Sequence, residues 1–308
     1  MMDLRKNRLP LAIVLLAVLG GGTLWALSRR DAPSTSSEGA SAELPTLERD
    51  SITTLEITRP GAETIRLEKA AGAWRITAPL ESAVEESTVN TALDKLSSLE
   101  ARGIAATREA NHGALEVDAE RGTHVIAFGG EEELANLWFG ASRSGNTMVR
   151  LDGEKPVIAA RGSLKYAFDK ELKEWRDRRI VSEEPTNVRA VSFEFGGSAL
   201  RFERGEGDAW VQSAGQAPIE RFSSAKVQSI VASLARLRAV DFAQPNVEAD
   251  AAGLTTPTAI VTLTIQAPAP TPAEGEPPAT PAEPRMVVLR LGSAADGGNV
   301  YVQKDGEG

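Results

Sequence analysis

The residue types that most often carry out catalysis or bind metals are scarce in this sequence of 308 residues. Cysteine is absent, which excludes disulfides, thiol catalysis and Cys-ligated zinc. The sequence has two histidines, too few for a multi-histidine metal site. His112 is predicted to be an exposed turn residue, and His124 begins a predicted strand. Neither has a neighbouring partner of the kind that a general base or a nucleophile needs, so the sequence favours a protein that is not an enzyme.

The remaining motif searches lead to the same interpretation. The acidic run 131–133 could bind a hard cation, but Ca²⁺ needs six or more converging oxygens, and a polar turn between two strands explains the run better. The sequence contains no G-x-x-x-x-G-K-S/T loop, no G-x-S-x-G elbow and no H-E-x-x-H helix. We therefore predict no catalytic residue, no cofactor and no metal site.

Three arginines are the candidates for a binding surface. Arg176, Arg178 and Arg179 follow one another closely in the segment 175–180. Arginine is enriched in the residues that dominate the energy of protein interfaces, so this segment is the predicted site of contact with a protein partner. The alternative is structural: the arginines brace the segment against carbonyl groups or acidic side chains.

Two tryptophans occupy equivalent positions in two predicted strands. Trp74 and Trp210 each precede a helix whose apolar face needs a large apolar cover. Both are therefore predicted to be buried in the core. The alternative is that they are exposed and stack on a sugar.

These side chains must be positioned by an internal repeat. Three short blocks alternate apolar with polar residues, which is the period of a strand with one buried face. The blocks are 52–57, 65–69 and 74–77 in the first half, and 188–193, 200–204 and 210–213 in the second. Each half is therefore predicted to begin as a three-stranded β-meander.

A helix with one apolar face is predicted to follow each meander. In the first half the segment Ser82–Glu85 has the form of a capping box, and in the second Ser223 or Ser224 is the predicted N-cap. The apolar positions are Val84, Thr88, Val89, Ala92, Leu93, Leu96 and Leu99 in the first helix, and Val227, Ile230, Val231, Leu234 and Leu237 in the second. Each helix is predicted to cover one antiparallel sheet.

The two halves then continue and close alike. Gly113 and Gly253 are each predicted to hold a turn at positive φ ahead of further strands. The segments 146–154 and 299–307 share Asn, Val, Asp, Gly and Glu at the same spacing and end in an Asp-Gly turn. The sequence thus predicts an α+β fold of two tandem β-β-β-α-β-β-β repeats. They are assigned to 47–182 and 183–308, the second apparently incomplete and carrying a Pro-rich loop at 267–284.

The start of the chain is predicted to be a membrane anchor within residues 1–30. Residues 9–28 carry no charge and stand between basic residues. About 20 residues are enough to span a hydrocarbon core of ~30 Å. A cleaved signal peptide is the alternative, because Ala26 and Ser28 place small side chains at the alternate positions that signal peptidase accepts. Residues 31–46, which are rich in Ser, Ala, Glu, Thr and Pro, are predicted to be a flexible tether.

Charge indicates how the chain is oriented and what it does not bind. Basic residues are slightly more numerous before the predicted span than after it, which places the N-terminus inside and the large domain outside. The formal net charge is −9, from 43 acidic and 34 basic residues. This balance argues against a protein that coats nucleic acid.

Taken together, four features resemble the DUF4340 family of uncharacterised bacterial envelope proteins. They are the basic N-terminus with one span, the strand 74–79 before an amphipathic helix, Gly113 before a strand pair, and the segment 175–180. The resemblance covers about residues 52–181 well and the second half more loosely, and it brings no catalytic residues with it.

Members of that family are commonly linked to ABC-type export systems of the kind associated with gliding motility. The resemblance therefore implies a non-catalytic accessory protein in the bacterial inner membrane, with its soluble domain in the periplasm and an ABC-type transporter as its partner. An envelope module that binds a glycan or a peptide is the main alternative, and a hydrolase with an unrecognised site is a third.

Overall fold

The chain is known from a computed structural model. It describes residues 43–244, 246–266 and 283–306. The predicted membrane anchor, the predicted tether as far as residue 42, and the Pro-rich loop from 267 to 282 lie outside these ranges. Within them, no helix has the length and apolar character needed to cross a membrane.

The described chain has an α+β fold with antiparallel sheets and few helices, as predicted. The chain divides into two compact units, and the division falls between Trp175 and Arg176.

The first unit is built on a sheet of nine antiparallel strands in the described residues, in the order β4-β3-β2-β1-β6-β7-β8-β9-β5. The strands are β1 (Thr54–Thr58), β2 (Ile65–Ala70), β3 (Ala73–Ala78), β4 (Ser82–Ala83), β5 (Ala101–Ala106), β6 (Thr123–Gly129), β7 (Glu132–Arg143), β8 (Asn146–Leu151) and β9 (Val157–Arg161). Six of them correspond to predicted strands. The three strands that the sequence pattern does not predict, β4, β5 and β9, lie at the two ends of the sheet.

Among the described residues, three α-helices accompany this sheet: α1 (Glu86–Ser97), α2 (His112–Leu115) and α3 (Leu172–Trp175). The predicted apolar face of α1 is confirmed, because Val89, Ala92, Leu93 and Leu96 are buried in the same core as the inward side chains of the strands. The predicted capping box is wrong. The helix begins at Glu86, and Ser82 is instead paired in β4, too far from the first turn to cap it.

A strap formed by residues 109–122, which includes α2, covers part of the other face of this sheet. Val117 in the strap packs with Met148 of β8 and Val157 of β9. The strap approaches β7 so closely at Gly140 that a Cβ there would overlap the carbonyl oxygen of Leu115. The first strap therefore contacts the sheet through its backbone.

In the described part of the second unit, six antiparallel strands form a sheet in the order β12-β11-β10-β13-β14-β15. Its elements are β10 (Val188–Phe195), β11 (Ser198–Arg204), β12 (Trp210–Gln212), α4 (Ser224–Ala235), β13 (Ala259–Ile265), β14 (Arg285–Ala294) and β15 (Val300–Lys304). The order is that of β3-β2-β1-β6-β7-β8 in the first sheet. The two sheets therefore share the path of six strands.

Helix α4 follows the prediction with two exceptions: Leu237 lies beyond its end at Ala235, and Ile230 is exposed. Ser223 is the N-cap, and its side chain accepts a hydrogen bond from the backbone N–H of Lys226, as predicted. Val227 and Val231 are buried, but Ile230 is 47% exposed, so its predicted burial is wrong. The described part of the second unit has no counterpart of the segment 162–175, which packs against the corresponding side of α1.

A second strap, residues 248–254, lies against β14. Gly253 has φ +69, as predicted, and the backbone N–H of Ser293 donates to the carbonyl of Ala252. A Cβ at Gly292 would overlap this carbonyl oxygen. The prediction of positive φ is wrong for Gly113, because it lies within α2, and the left-handed residue in the first strap is Glu116.

Candidate functional site

The three arginines predicted to bind a partner lie at the start of the second unit. Their segment is held by backbone hydrogen bonds to the chain that follows α4: Ala239 N–H donates to the carbonyl of Arg178 (2.7 Å), and Ile180 N–H donates to the carbonyl of Leu237 (2.9 Å). The segment 176–182, which the sequence analysis assigned to the first repeat, thus lies in the second unit.

Two of the three side chains are engaged within that unit. The Arg176 guanidinium lies 3.3 Å from the ring centroid of Phe242, in a cation–π contact. Burial lowers the pKa of Arg176, and the charge of Asp241 acts in the opposite direction. Arg179 makes a two-pronged ion pair with Asp177, with Nε at 2.9 Å from Oδ1 and Nη2 at 2.7 Å from Oδ2.

The pKa of Asp177 reflects this arrangement. Burial acts to raise the pKa, but hydrogen bonds from the side chain and the backbone of Arg179 outweigh it, and the pKa lies below its ordinary value.

Arg178 differs from its neighbours. Its half-buried side chain has no hydrogen bond or ion pair to another residue in the described ranges. Of the three arginines, Arg178 therefore has the side chain most available for a partner.

The structure places His124 in a row of side chains that the sequence analysis missed. His124, Trp138 and Arg150 stand side by side on β6, β7 and β8. The His124 and Trp138 rings are stacked, with centroids 4.1 Å apart and an interplanar angle of 7°. The Arg150 guanidinium carbon lies 5.4 Å from the Trp138 ring centroid, and His124 Nε2 lies 2.6 Å from Asn136 Oδ1.

This row is joined to the first strap and to the turn after β8. Arg150 is 8% exposed, and its Nε donates to the carbonyl of Val117 at 2.9 Å. Trp138 Nε1 donates to Asp152 Oδ1 at 2.7 Å. Mainly because of this hydrogen bond, the pKa of Asp152 lies below its ordinary value. The polar groups of the row thus hold backbone and neighbouring side chains in place.

We predict that Trp138→Phe raises the pKa of Asp152 towards its ordinary value, because the largest cause of the shift is removed. A lowered pKa in the folded state stabilises the protein above the unfolded pKa, and this stabilisation is lost as the pH falls through the folded pKa. NMR titration of the Asp152 carboxyl carbon measures the shift directly. Trp210→Phe is the control, and an unchanged Asp152 pKa in Trp138→Phe would contradict the assignment.

The remaining candidates from the sequence, His112 and the acidic run 131–133, lie in helices, turns and strands and do not form a site. His112 lies in α2, and its Nε2 is 2.8 Å from the carbonyl oxygen of Lys155, so the prediction of an exposed turn residue is wrong. Of the acidic run 131–133, Glu131 lies in a turn, as predicted, but Glu132 and Glu133 already belong to β7, so the predicted turn is wrong for them. Glu133 accepts a hydrogen bond from Asn136. Within the described ranges, no group of three or more His, Cys, Asp or Glu residues is placed to hold a metal ion.

The two tryptophans differ in burial. Trp210 is 1% exposed, donates from Nε1 to Gln228 Oε1 at 2.8 Å, and lies under the Arg204 guanidinium, as expected of a core residue. Trp74 is only half-buried, so its predicted burial is wrong. It pairs with Lys69 beside the β2–β3 turn, where the end of the hairpin meets solvent.

Among known proteins, the chain matches one family model, described as "Domain of unknown function (DUF4340)", over residues 74–257. The match begins in β3 and ends just before β13, so it starts and ends later than the range of the resemblance found by inspection. Neither a curated protein nor a solved structure matches the chain. Because the family model covers more than half of the 308 residues, the chain belongs to the DUF4340 family.

Proposed function

We propose that this protein is an accessory component of an ABC-type transport system in the bacterial inner membrane. In this proposal residues 9–28 span the membrane once, and the two units lie in the periplasm. The protein acts as a scaffold through contacts with other proteins and has no catalytic activity of its own.

One observation carries the proposal: seven of the eight large apolar side chains exposed in the described residues lie in the second unit. They are Phe195, Val211, Phe222, Ile230, Val240, Met286 and Val300. Exposed apolar side chains that form a patch are typical of contact with another protein, and their excess in the second unit favours such a contact there. The polar side chains that could do chemistry are engaged with the protein's own backbone and side chains, which also favours a scaffold.

We further propose that the two units are copies of one β-β-β-α-β-β-β domain. Three similarities support this: six strands follow the same order, α1 and α4 both have 12 residues, and a strap meets a strand glycine in each unit. Additional strands at the ends of the first sheet would then be extensions of the common domain.

Crosslinking in native membranes, followed by identification of the captured proteins, tests the accessory role. We expect the permease or the ATPase of an ABC-type transporter among the crosslinked partners. Their absence, or turnover of a substrate by the purified protein that one polar substitution abolishes, would contradict the proposal. N-terminal sequencing of the membrane-extracted protein tests the anchor, because a chain starting near Arg29 would indicate a cleaved signal peptide.

We predict that Arg178→Ala weakens the crosslinks to the partner and leaves the melting temperature unchanged, because its side chain is not paired within the described residues. Arg176→Ala is the matched comparison. It removes the cation–π contact with Phe242 and should lower the stability by about 0.5–2 kcal/mol. Unchanged crosslinking in Arg178→Ala would place the partner surface elsewhere.

The alternative, an envelope module that binds a glycan or a peptide, is favoured by one feature of the second unit. A hollow of about 330 Å³ lies at the β10–β11 turn, lined by Phe195, the glycines 196 and 197, Pro257 and Thr258. Phe195 is 48% exposed, and an exposed aromatic ring is a surface on which a sugar can stack. Calorimetric titration with envelope oligosaccharides would distinguish this function from the scaffold.

A further inference from the structure

In the first unit, the chain after β8 closes the side of the fold. Strand β9 pairs antiparallel with β8, and the chain then turns across α1. Thr147 of β8 is fully buried at this point: its Oγ1 donates to the carbonyl of Gly162 and accepts from the backbone N–H of Leu164, both at 2.8 Å. We call residues 157–175 the closing segment.

Large side chains anchor the closing segment in the core. The ring of Phe168 lies 4.6 Å from that of Phe139 on β7, and Trp175 is fully buried. The carbonyls of residues 174 and 175 accept hydrogen bonds from Thr88 and Glu85 at the start of α1. The segment thus has a strand, an apolar turn and an aromatic end, and it covers both α1 and the sheet.

The second unit has no such cover over the residues that correspond to the ones buried beneath the closing segment in the first unit. Five residues that are fully buried in the first unit align with residues that are half-buried or exposed in the second. The pairs are Ala92 with Ile230, Leu96 with Leu234, Phe139 with Leu291, Thr147 with Val300, and Val149 with Val302. Ile230 is 47% and Val300 50% exposed.

We call these five residues of the second unit the α4–β15 surface. Leu234, Leu291 and Val302 all pack against the one apolar core of the second unit. Strand β15 is the last in the described order of its sheet, whereas its counterpart β8 is followed by β9. The surface therefore has the form of the site that the closing segment fills in the first unit.

We propose that the α4–β15 surface binds a segment of a partner protein that resembles the closing segment. This segment would add an antiparallel strand beside β15 and place leucine and aromatic side chains against Ile230 and Leu234. A second copy of this chain is a poor occupant, because its closing segment is already used and its withdrawal would expose the fully buried Trp175. The inference rests on the proposed scaffold function and identifies the surface and the kind of partner.

The test uses the full chain in detergent micelles and a fluorescent peptide with the sequence of residues 157–175. We expect saturable binding by fluorescence anisotropy and none with a scrambled peptide of the same composition. Ile230→Glu should weaken binding at least tenfold, because it places a charge on the surface, and its melting temperature should stay unchanged since the side chain is half-exposed. Val211→Glu, on β12 at the opposite end of the sheet, is the matched control and should bind normally.

Several outcomes would overturn the inference. These are the absence of saturable binding, equal binding of the scrambled peptide, or unchanged affinity in Ile230→Glu. A dimer in analytical ultracentrifugation that Ile230→Glu dissociates would assign the surface to a second copy. Peptide binding without crosslinks to a transporter would contradict only the accessory role, and crosslinks without peptide binding would contradict only this surface.

Discussion

Gly292→Ala and Gly140→Ala should each destabilise the protein by about 3 kcal/mol or more, which is the upper part of the range for overpacked cores. At both positions a Cβ would overlap a carbonyl oxygen of the adjacent strap, that of Ala252 or of Leu115. At Gly140 it would also lie 2.7 Å from Val117 Cγ1. Because the obstacle is backbone, a side-chain rotation cannot relieve the overlap, and the strap must move away from the sheet.

Gly113→Ala is the matched control for this prediction. Its Cβ would meet Arg121 Nη2 at 2.8 Å, and this is the far end of a flexible, exposed side chain that can move aside. Gly113 also lies in α2, where alanine is the better helix former. Urea denaturation of the full chain should therefore show little change for this variant. If Gly140→Ala cost as little as Gly113→Ala, the strap would not contact the sheet as described.

Trp210→Ala should cost about 3–5 kcal/mol, the usual range for removing a large aromatic side chain from a core. The substitution empties a site that is 1% exposed, leaves Gln228 without its indole donor, and removes the ring beneath Arg204. Trp74→Ala should cost clearly less, because half-buried Trp74 leaves part of its site open to solvent. Denaturant titration of both variants measures the difference.

Trp210→Phe separates packing from hydrogen bonding in this comparison. Phenylalanine keeps most of the apolar volume but cannot donate to Gln228, so this variant should lose only part of the stability that Trp210→Ala loses. Equal losses for Trp74→Ala and Trp210→Ala would mean that the two sites are equally buried, contrary to the structure.

The sequence pattern predicted elements that depend on local periodicity. The apolar face of α1 and the alternating strands β1, β2 and β6 repeat a period that burial on one side requires. The N-cap of α4 was narrowed to Ser223 or Ser224 from their position, and the structure has Ser223 there. Strand β5 was not predicted, because its partner in the described residues, β9, lies more than 50 residues further along the chain, and no local pattern records such a pairing.

The candidate sites could likewise not be predicted in full, because they too depend on contacts between residues that are distant in sequence. The row of His124, Trp138 and Arg150 depends on the register of three strands, and its members are separated by 12 or more residues. Alternation identifies the face on which each residue lies but not its neighbour across the sheet. The arginine segment was recognisable from its composition, but the pairing of Arg179 with Asp177 and of Arg176 with Phe242 required the fold.

The contact between each strap and its strand glycine restricts which amino acids can occupy some positions and leaves others free to vary. At Gly140 and Gly292 the strap meets the strand through its backbone, so this contact does not depend on a strap side chain. Other strap positions are restricted: Val117 packs beneath the first strap, and Gly253 of the second has φ +69 and leaves no room for a Cβ beside the backbone nitrogen of Ser293. A redesign that grafts a new peptide sequence into a strap must therefore keep Gly140, Gly292 and Gly253, and an apolar residue at position 117.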